Sequence, residues 1–268
     1  MDAIYTLKTL ENQHRDATPE EQETLANYVG WGGLADAFDA EKTAWAGEYK
    51  ELKAALTEEE YAAARASTLN AHYTSPTVIR AIYEALDGMG FEKGNILEPS
   101  MGVGNFFGML PDSMLGSRLY GVELDSITGR IAQKLYPQAE IKVAGFETTD
   151  RRDFYDLAVG NVPFGNYRVS DKPYDKLGFS IHNYFFAKAF GSGSSRWYCG
   201  LCYQPLYDGF QESGRAKYLA QRQNCWEPFD FPTTHSAPMP VQMWFRISFS
   251  CKRETIPLIS NRIGCIWG

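Results

Sequence analysis

The residues best suited to chemistry lie in Asp156-Leu-Ala-Val-Gly-Asn161-Val162-Pro163-Phe164-Gly165. Asn161 offers a side-chain amide oxygen, Val162 a main-chain carbonyl, Pro163 a stiffened backbone and Phe164 a ring face. That set is suited to gripping a flat amino-heterocycle, with acceptors at its edge and an aromatic against its face. The apolar run before Asn161 reads as a short strand, and open α/β sheets bind ligands at such strand ends. The same residues are also compatible with an ordinary exit from strand to loop.

A second constellation lies upstream. Asn95-Ile-Leu-Glu98 reads as a strand, Pro99-Ser-Met-Gly102-Val-Gly104-Asn105-Phe106 as a glycine-rich turn opening a helix, and Leu119-Tyr-Gly-Val-Glu123 as a second strand. The acid at its end lies about twenty residues past the glycines, where it can accept from ribose hydroxyls. The order strand, glycine turn, helix, strand, acid is the nucleotide-binding half of a doubly wound α/β fold and points to adenosine. Dinucleotide sites need a small residue three positions after the second glycine, and here that residue is Phe107, which disfavours NAD. S-adenosylmethionine has no pyrophosphate to seat on a helix N-terminus. Gly102, Gly104 and Glu123 are therefore candidate cofactor contacts, although Glu98 and Glu123 can also be acids that merely cap or solvate strand ends.

Asn161-Val162-Pro163-Phe164 resembles, at three of four positions, the Asn-Pro-Pro-Phe or Asn-Pro-Pro-Tyr loop of the N6-adenine DNA methyltransferases. Val162 departs from that pattern, but it can supply the carbonyl that the first Pro contributes in the family. From about Ala3 to Phe190, roughly two thirds of the chain, the sequence more closely resembles the methylase part of the very large helicase-methylase proteins of conjugative elements. The resemblance implies a Rossmann-like S-adenosylmethionine-dependent sheet that transfers methyl to adenine N6 of a flipped base. It also implies DNA as partner and a helicase domain in a full-length parent. Through it, Tyr73 and Thr74 of Tyr73-Thr74-Ser75-Pro76 correspond to the loop that meets the methionine end of the cofactor. Glu98 and Pro99 correspond to the entry of the glycine turn, and Phe146 to a residue at the adenine edge. From the residues alone, Ser75 and Pro76 equally well start a helix, and Phe146 equally well packs in a core. In the implied mechanism Asn161 and Val162 accept the two amine hydrogens and Phe164 stacks on the base, with no metal. Such a loop also suits a planar amide, so RNA or protein-glutamine methylation remains open, as does a non-catalytic module or truncated fragment.

These residues require elements to position them. The 268 residues, 44% of them apolar, can form one large domain or one domain with an appendage. Residues 1–70 read as a helical segment of two or three helices, with starts at Thr18 and Thr57. In it, Gly30-Trp31-Gly32-Gly33 is a turn whose Trp either packs or meets a partner. Residues 71–190 read as the Rossmann-like core, with a helix at Ser126–Leu135, a strand at Glu140–Val143 and a helix at Ile181–Phe190. His182 reads as a surface or capping residue. The net charge of -7, with no basic stripe, argues against a protein that holds nucleic acid by phosphate neutralisation alone. No run approaches a membrane span and no secretory signal opens the chain, so a cytoplasmic protein with no membrane partner is expected.

Residues 191–268 break the pattern. The fifth strand expected after Phe190 is missing, because Ser194-Ser-Arg-Trp-Tyr-Cys-Gly-Leu-Cys202 follows neither period. Since Trp has one codon and Cys two, back-translation is constrained, and single-base shifts near Arg196 and Gln223 yield strand- and helix-like runs. These residues therefore read as a frameshifted, poorly ordered tail. Cys199-x-x-Cys202 lies inside it, and no second pair completes four metal ligands.

Overall fold

The computed structural model describes residues 1–68, 73–163, 167–203, 227–230 and 242–247. Four helices, α1 (Asp2–Asn12), α2 (Pro19–Ala26), α3 (Ala46–Ala55) and α4 (Glu58–Ser67), precede the sheet, with short 3-10 turns at Ala35–Phe38 and Thr43–Trp45. Two of these starts were legible because Thr18 and Thr57 form capping boxes with Glu21 and Glu60. The count of two or three helices was low because α1 and α3 begin without a side-chain cap. Then come α5 (Pro76–Gly88), β1 (Asn95–Glu98), α6 (Asn105–Gly108), β2 (Arg118–Glu123), α7 (Ser126–Leu135), β3 (Glu140–Val143), β4 (Tyr155–Asn161), α8 (Ile181–Ser192), β5 (Gly193–Tyr203), β6 (Glu227–Asp230) and β7 (Gln242–Ile247).

The strands form one sheet in the order β3-β2-β1-β4-β5-β7-β6. The pairs from β3 through β5 are parallel, whereas β7 runs antiparallel to both β5 and β6. Alternate residues serve opposite faces, as the pleat requires. Ile96, Leu157 and Val159 pack under Ile79, Ile82 and Leu86 of α5. Leu97, Ala158 and Leu201 pack with Tyr184, Phe185 and Phe186 of α8. The result is the expected α/β sheet covered on both sides.

The expected absence of a fifth strand is corrected. Gly193–Tyr203 is a strand hydrogen-bonded to β4 from Leu157↔Tyr198 to Asn161↔Cys202 and, on its other edge, to β7. A central strand covered on both faces has no need of polar alternation, so the test of period fails there. Cys199 and Leu201 are both buried in it. Two further strands fall within the expected poorly ordered tail, at Glu227–Asp230 and Gln242–Ile247, with β7 paired to β5 and to β6. The rest of the expected poorly ordered tail, 204–226, 231–241 and 248–268, lies outside the described residues.

The helical segment does not stand apart from the sheet. Ile4, Leu7, Leu10, Leu25 and Ala64 share one core with Val103 and with Ile127 and Ile131 of α7. Arg130 of α7 reaches back to the carboxylates of Glu11, at 3.1 Å, and Glu60. Lys8 also holds Glu60, at 2.9 Å. Burial alone would raise the Glu60 carboxyl, but the Thr57 N–H, Lys8 and Arg130 outweigh it and hold the group below its ordinary value. The stability this contributes is present above the ordinary carboxylate pKa of 4.5 and is lost as pH falls through the lower folded value. Glu60→Gln should therefore cost about 2 kcal/mol at pH 7 and much less at pH 3, as read by urea unfolding at both pH values.

Candidate active site

Sheet order reverses between β1 and β4, and ligands in open α/β sheets lie outside the carboxyl ends of strands at such a switch point. The register Leu97↔Ala158 brings Glu98, at the end of β1, beside the end of β4. Gly160 (φ +145°) makes this approach possible, since a Cβ there would lie 3.2 Å from Glu98 Cγ. Asn161 follows it as the last residue of β4.

A cleft of about 520 Å³ opens at this point. Of the residues singled out in the sequence, Tyr73, Thr74, Glu98, Pro99, Gly102, Glu123, Phe146, Asn161, Val162 and Pro163 all line it. Phe164 lies outside the described residues. Gly104 is not among the lining residues. It stands before α6 at φ +86°, and a Cβ there would fall 2.5 Å from the Tyr136 ring, whose hydroxyl donates to the Gly104 carbonyl at 2.7 Å. Its glycine is required by the turn and by Tyr136. The helix it opens is a single turn, Asn105–Gly108.

The cleft is rich in buried, underused polar atoms. Glu98 Oε2, Asp125 Oδ2, Asn161 Oδ1 and Trp31 Nε1 are buried with no protein hydrogen-bond partner. Each unpaired buried group of this kind costs about 1–3 kcal/mol, so a ligand that satisfies them gains that energy back. Glu98 is 2% exposed, and burial, then the nearby Glu123 charge, push its carboxyl well above the usual range. Glu123 accepts from the Gly102 N–H at 2.8 Å and the Asp125 N–H at 2.9 Å, so it fixes the glycine turn as well as facing the cleft. Burial raises it to about 7 despite those two hydrogen bonds.

Asp125 was not singled out in the sequence. It lines the cleft, caps α7 by accepting from the Thr128 N–H at 2.7 Å and has a second oxygen buried without a hydrogen-bond partner; its spacing two residues after Glu123 was the available signal. The helical segment was also missed as a wall. Gly30, Trp31, Ala63, Ala66 and Ser67 line the cleft, and Trp31 both packs against Phe38, with ring centroids 5.2 Å apart, and faces the cavity. Phe146 likewise does both, lying 2% exposed against Phe185. His182 sits in the first turn of α8, 3.2 Å from Ser180 Oγ, and is not a lining residue. Among the described residues no group of His, Cys, Asp and Glu is arranged to hold a metal ion. No helix among them is long and apolar enough to cross a membrane.

The segment after the loop is anchored from behind. Asp171 accepts from Lys188 Nζ and from the Tyr184 hydroxyl, both at 2.7 Å, and Lys188 also donates to the Glu147 carbonyl at 3.0 Å. This buried pair ties the segment carrying Tyr167 and Val169, which line the cleft, to the turn that carries Phe146.

Over 94% of its length the chain superposes on 88% of a Listeria monocytogenes protein assigned to the class I S-adenosylmethionine-dependent methyltransferases, with TM-score 0.53 and 12% identity. The fold is that of the class I methyltransferases. A modification subunit assigned to a type I restriction enzyme of Vibrio vulnificus matches 78% of the chain with half of its own length, with TM-score 0.51 and 13% identity. In sequence, 163 residues are 30% identical to the defense against restriction protein B of Escherichia phage P1, and 92 residues are 34% identical to the type II methyltransferase M.CvrRI of a Paramecium bursaria Chlorella virus. The matches span 59% and 34% of this chain, but only 6% and 24% of those proteins. No family model matches.

Because the folded value of Glu123 lies above its ordinary 4.5, the stability it contributes is fully present below 4.5 and is lost as pH rises through about 7. Glu123→Ala should therefore destabilise the unliganded chain more at pH 5 than at pH 8. The expected difference is on the order of 1 kcal/mol, smaller than the full linkage value because the cleft is open to solvent, and urea unfolding at the two pH values reads it.

Proposed function

We propose that this chain is the S-adenosylmethionine-dependent methyltransferase unit of a larger protein and that it methylates adenine N6 in DNA. The observation that carries the reading is Asn161 Oδ1, buried and without a partner at the end of β4, in one cleft with Glu98 and Glu123 at the ends of β1 and β2. The likeness to a restriction-linked phage protein and a viral type II methyltransferase supports DNA as substrate. The resemblance of residues 3–190 to helicase-methylase proteins supports a helicase domain as neighbour.

The residues present fit the cofactor. Glu123 and the unpaired Asp125 oxygen suit ribose hydroxyls, Phe146 an adenine edge, and Tyr73, Thr74 and the Gly102 turn the amino-acid end. Acids around the cleft also suit a ligand bearing sulfonium and ammonium charge. The cofactor, when bound, supplies a methyl group on a positively charged sulfur.

The chain's own task is to prepare the acceptor. An adenine amine is a poor nucleophile because its lone pair is delocalised into the ring. Asn161 Oδ1 and the Val162 carbonyl, each accepting one amine hydrogen, favour a tetrahedral nitrogen whose lone pair is free to attack. Pro163 stiffens the backbone that holds this pair, and Phe164 stacks on a base flipped out of the duplex. The buried Asp171–Lys188 pair ties the segment that carries Tyr167 and Val169 to the turn that carries Phe146.

The charge needed for DNA is local. Arg168 lies between two lining residues, and it is exposed together with Lys172 and Lys176 of the same segment and with the aromatic Tyr167. None of the three cations enters an ion pair among the described residues. Exposed cations on a segment that borders the acidic cleft suit a phosphate backbone beside a flipped base.

Asn161→Ala should abolish transfer of labelled methyl groups to unmethylated duplex DNA while leaving cofactor affinity within about twofold, since truncation removes an interaction made to the acceptor base alone. Undiminished transfer would remove Asn161 from the mechanism, and transfer to RNA or a protein amide in place of DNA would reassign the substrate. The triple change Arg168→Gln, Lys172→Gln, Lys176→Gln should lower the slope of log affinity against log salt for duplex DNA by about 2 to 3, without altering cofactor binding. A slope equal to that of the unaltered chain would place the DNA contact elsewhere.

A further inference from the structure

We propose that Trp31, from the helical segment, is a binding residue of the same cleft, donating its indole N–H to the carboxylate at the amino-acid end of the cofactor. The inference rests on the cofactor reading above and adds a donor that the sheet itself does not supply.

Three observations carry it. Trp31 is 6% exposed, and its Nε1 is buried without a protein partner although the residue lines the cleft. An indole N–H can only donate, so it calls for an acceptor from outside the chain. Packing accounts for the ring, which meets Tyr28 and Phe38 edge-on at centroid distances of 6.0 and 5.2 Å, but it leaves the N–H unexplained.

The second observation fixes the end of the cleft. Gly30 holds a left-handed φ of +66°, and a Cβ there would lie 3.0 Å from the Tyr73 hydroxyl and 3.3 Å from its ring. A Cβ on Gly102 would lie 3.4 Å from the same ring. The turn before Trp31 is thus seated on Tyr73, which in turn covers the glycine turn. The N–H of Gly33 donates to the Thr68 carbonyl at 3.0 Å and holds the turn against the end of α4. Trp31 belongs to the part of the cleft assigned to the amino-acid group.

The third is charge. Among the described residues that line the cleft there is no Lys, Arg or His, whereas Glu98, Glu123, Asp125 and Glu147 all do. Such a cleft receives the cofactor's cationic groups readily and has no cation for its carboxylate. Neutral donors must take that group, and Trp31 is a buried one with its hydrogen unspent. A hydrogen bond to a charged acceptor in a water-poor site is worth about 1.5–3 kcal/mol.

The test is Trp31→Phe in the full chain, with calorimetric affinities for three ligands: S-adenosylmethionine, S-adenosylhomocysteine and 5′-methylthioadenosine, which lacks the amino-acid group. Affinity for the first two should fall about tenfold or more, and affinity for 5′-methylthioadenosine should stay within about twofold. Equal losses for all three, or no loss for any, would overturn the proposal. Phe38→Leu, which loosens the same aromatic cluster without lining the cleft, separates packing from binding. It should lower the unfolding midpoint while leaving the ratio between the ligands unchanged, and a changed ratio would overturn the assignment. If the unaltered chain bound none of the three, the cofactor reading itself would fail and this inference with it.

Discussion

The parallel pairing of β1 with β4 is the constraint on which the rest depends. Two registered positions, Ile96↔Leu157 and Leu97↔Ala158, join stretches some sixty residues apart and set Glu98 next to Gly160 and Asn161. Every other part of the site follows from that junction. To one side β2 and β3 bring Glu123 and Phe146, and to the other β5 closes the sheet so that the end of β4 is not an edge. Parallel strands need crossovers, and the crossover helix α8 covers one face of the central strands while α5, which precedes the sheet, covers the other.

The site is built at a cost in stability. Glu98, Glu123 and Asp125 crowd one end of the sheet, two of them with an oxygen that finds no partner, and Asn161 and Trp31 add a further acceptor and donor. A core designed for stability alone would pair or remove these groups. Their persistence together in one cleft, with burial pushing Glu123 to about 7, is the signature of a surface prepared for a polar ligand. The Asp171–Lys188 pair differs in kind, since each partner is satisfied and its effect is to hold a loop segment in place.

Local chemistry made the nucleotide half of the fold legible. The strand ending in Glu98, the glycines, and the acid at Glu123 sit within thirty residues, so their spacing in sequence is nearly their spacing in space. Asn161 and its neighbours were legible because strand and loop meet within one short run. What failed did so where tertiary context decides. The spacing that drew attention to Gly104 could not show that its left-handed turn and Tyr136, more than thirty residues on, also call for a glycine there. β5 escaped because both its faces are covered, so Trp-Tyr-Cys-Gly-Leu carries no alternation to detect. Asp125 was hidden by its other task as a helix cap.

The helical segment shows most clearly how function can be invisible in a local reading. As sequence it is a set of capped helices interrupted by a glycine-rich turn, and nothing in it suggests catalysis. In the structure its apolar residues complete one core with α7, and its turn forms a wall of the cleft. The two facts are one, because Asp125, the N-cap of α7, lies two residues beyond Glu123 at the end of β2. Packing α1, α2 and α4 onto α7 therefore brings Trp31 to the wall of the cleft. A wall added in this way needs no catalytic residues of its own. It excludes water from one side, which strengthens each hydrogen bond made inside, and it makes binding in the cleft depend on the docking of a segment that precedes the sheet by tens of residues.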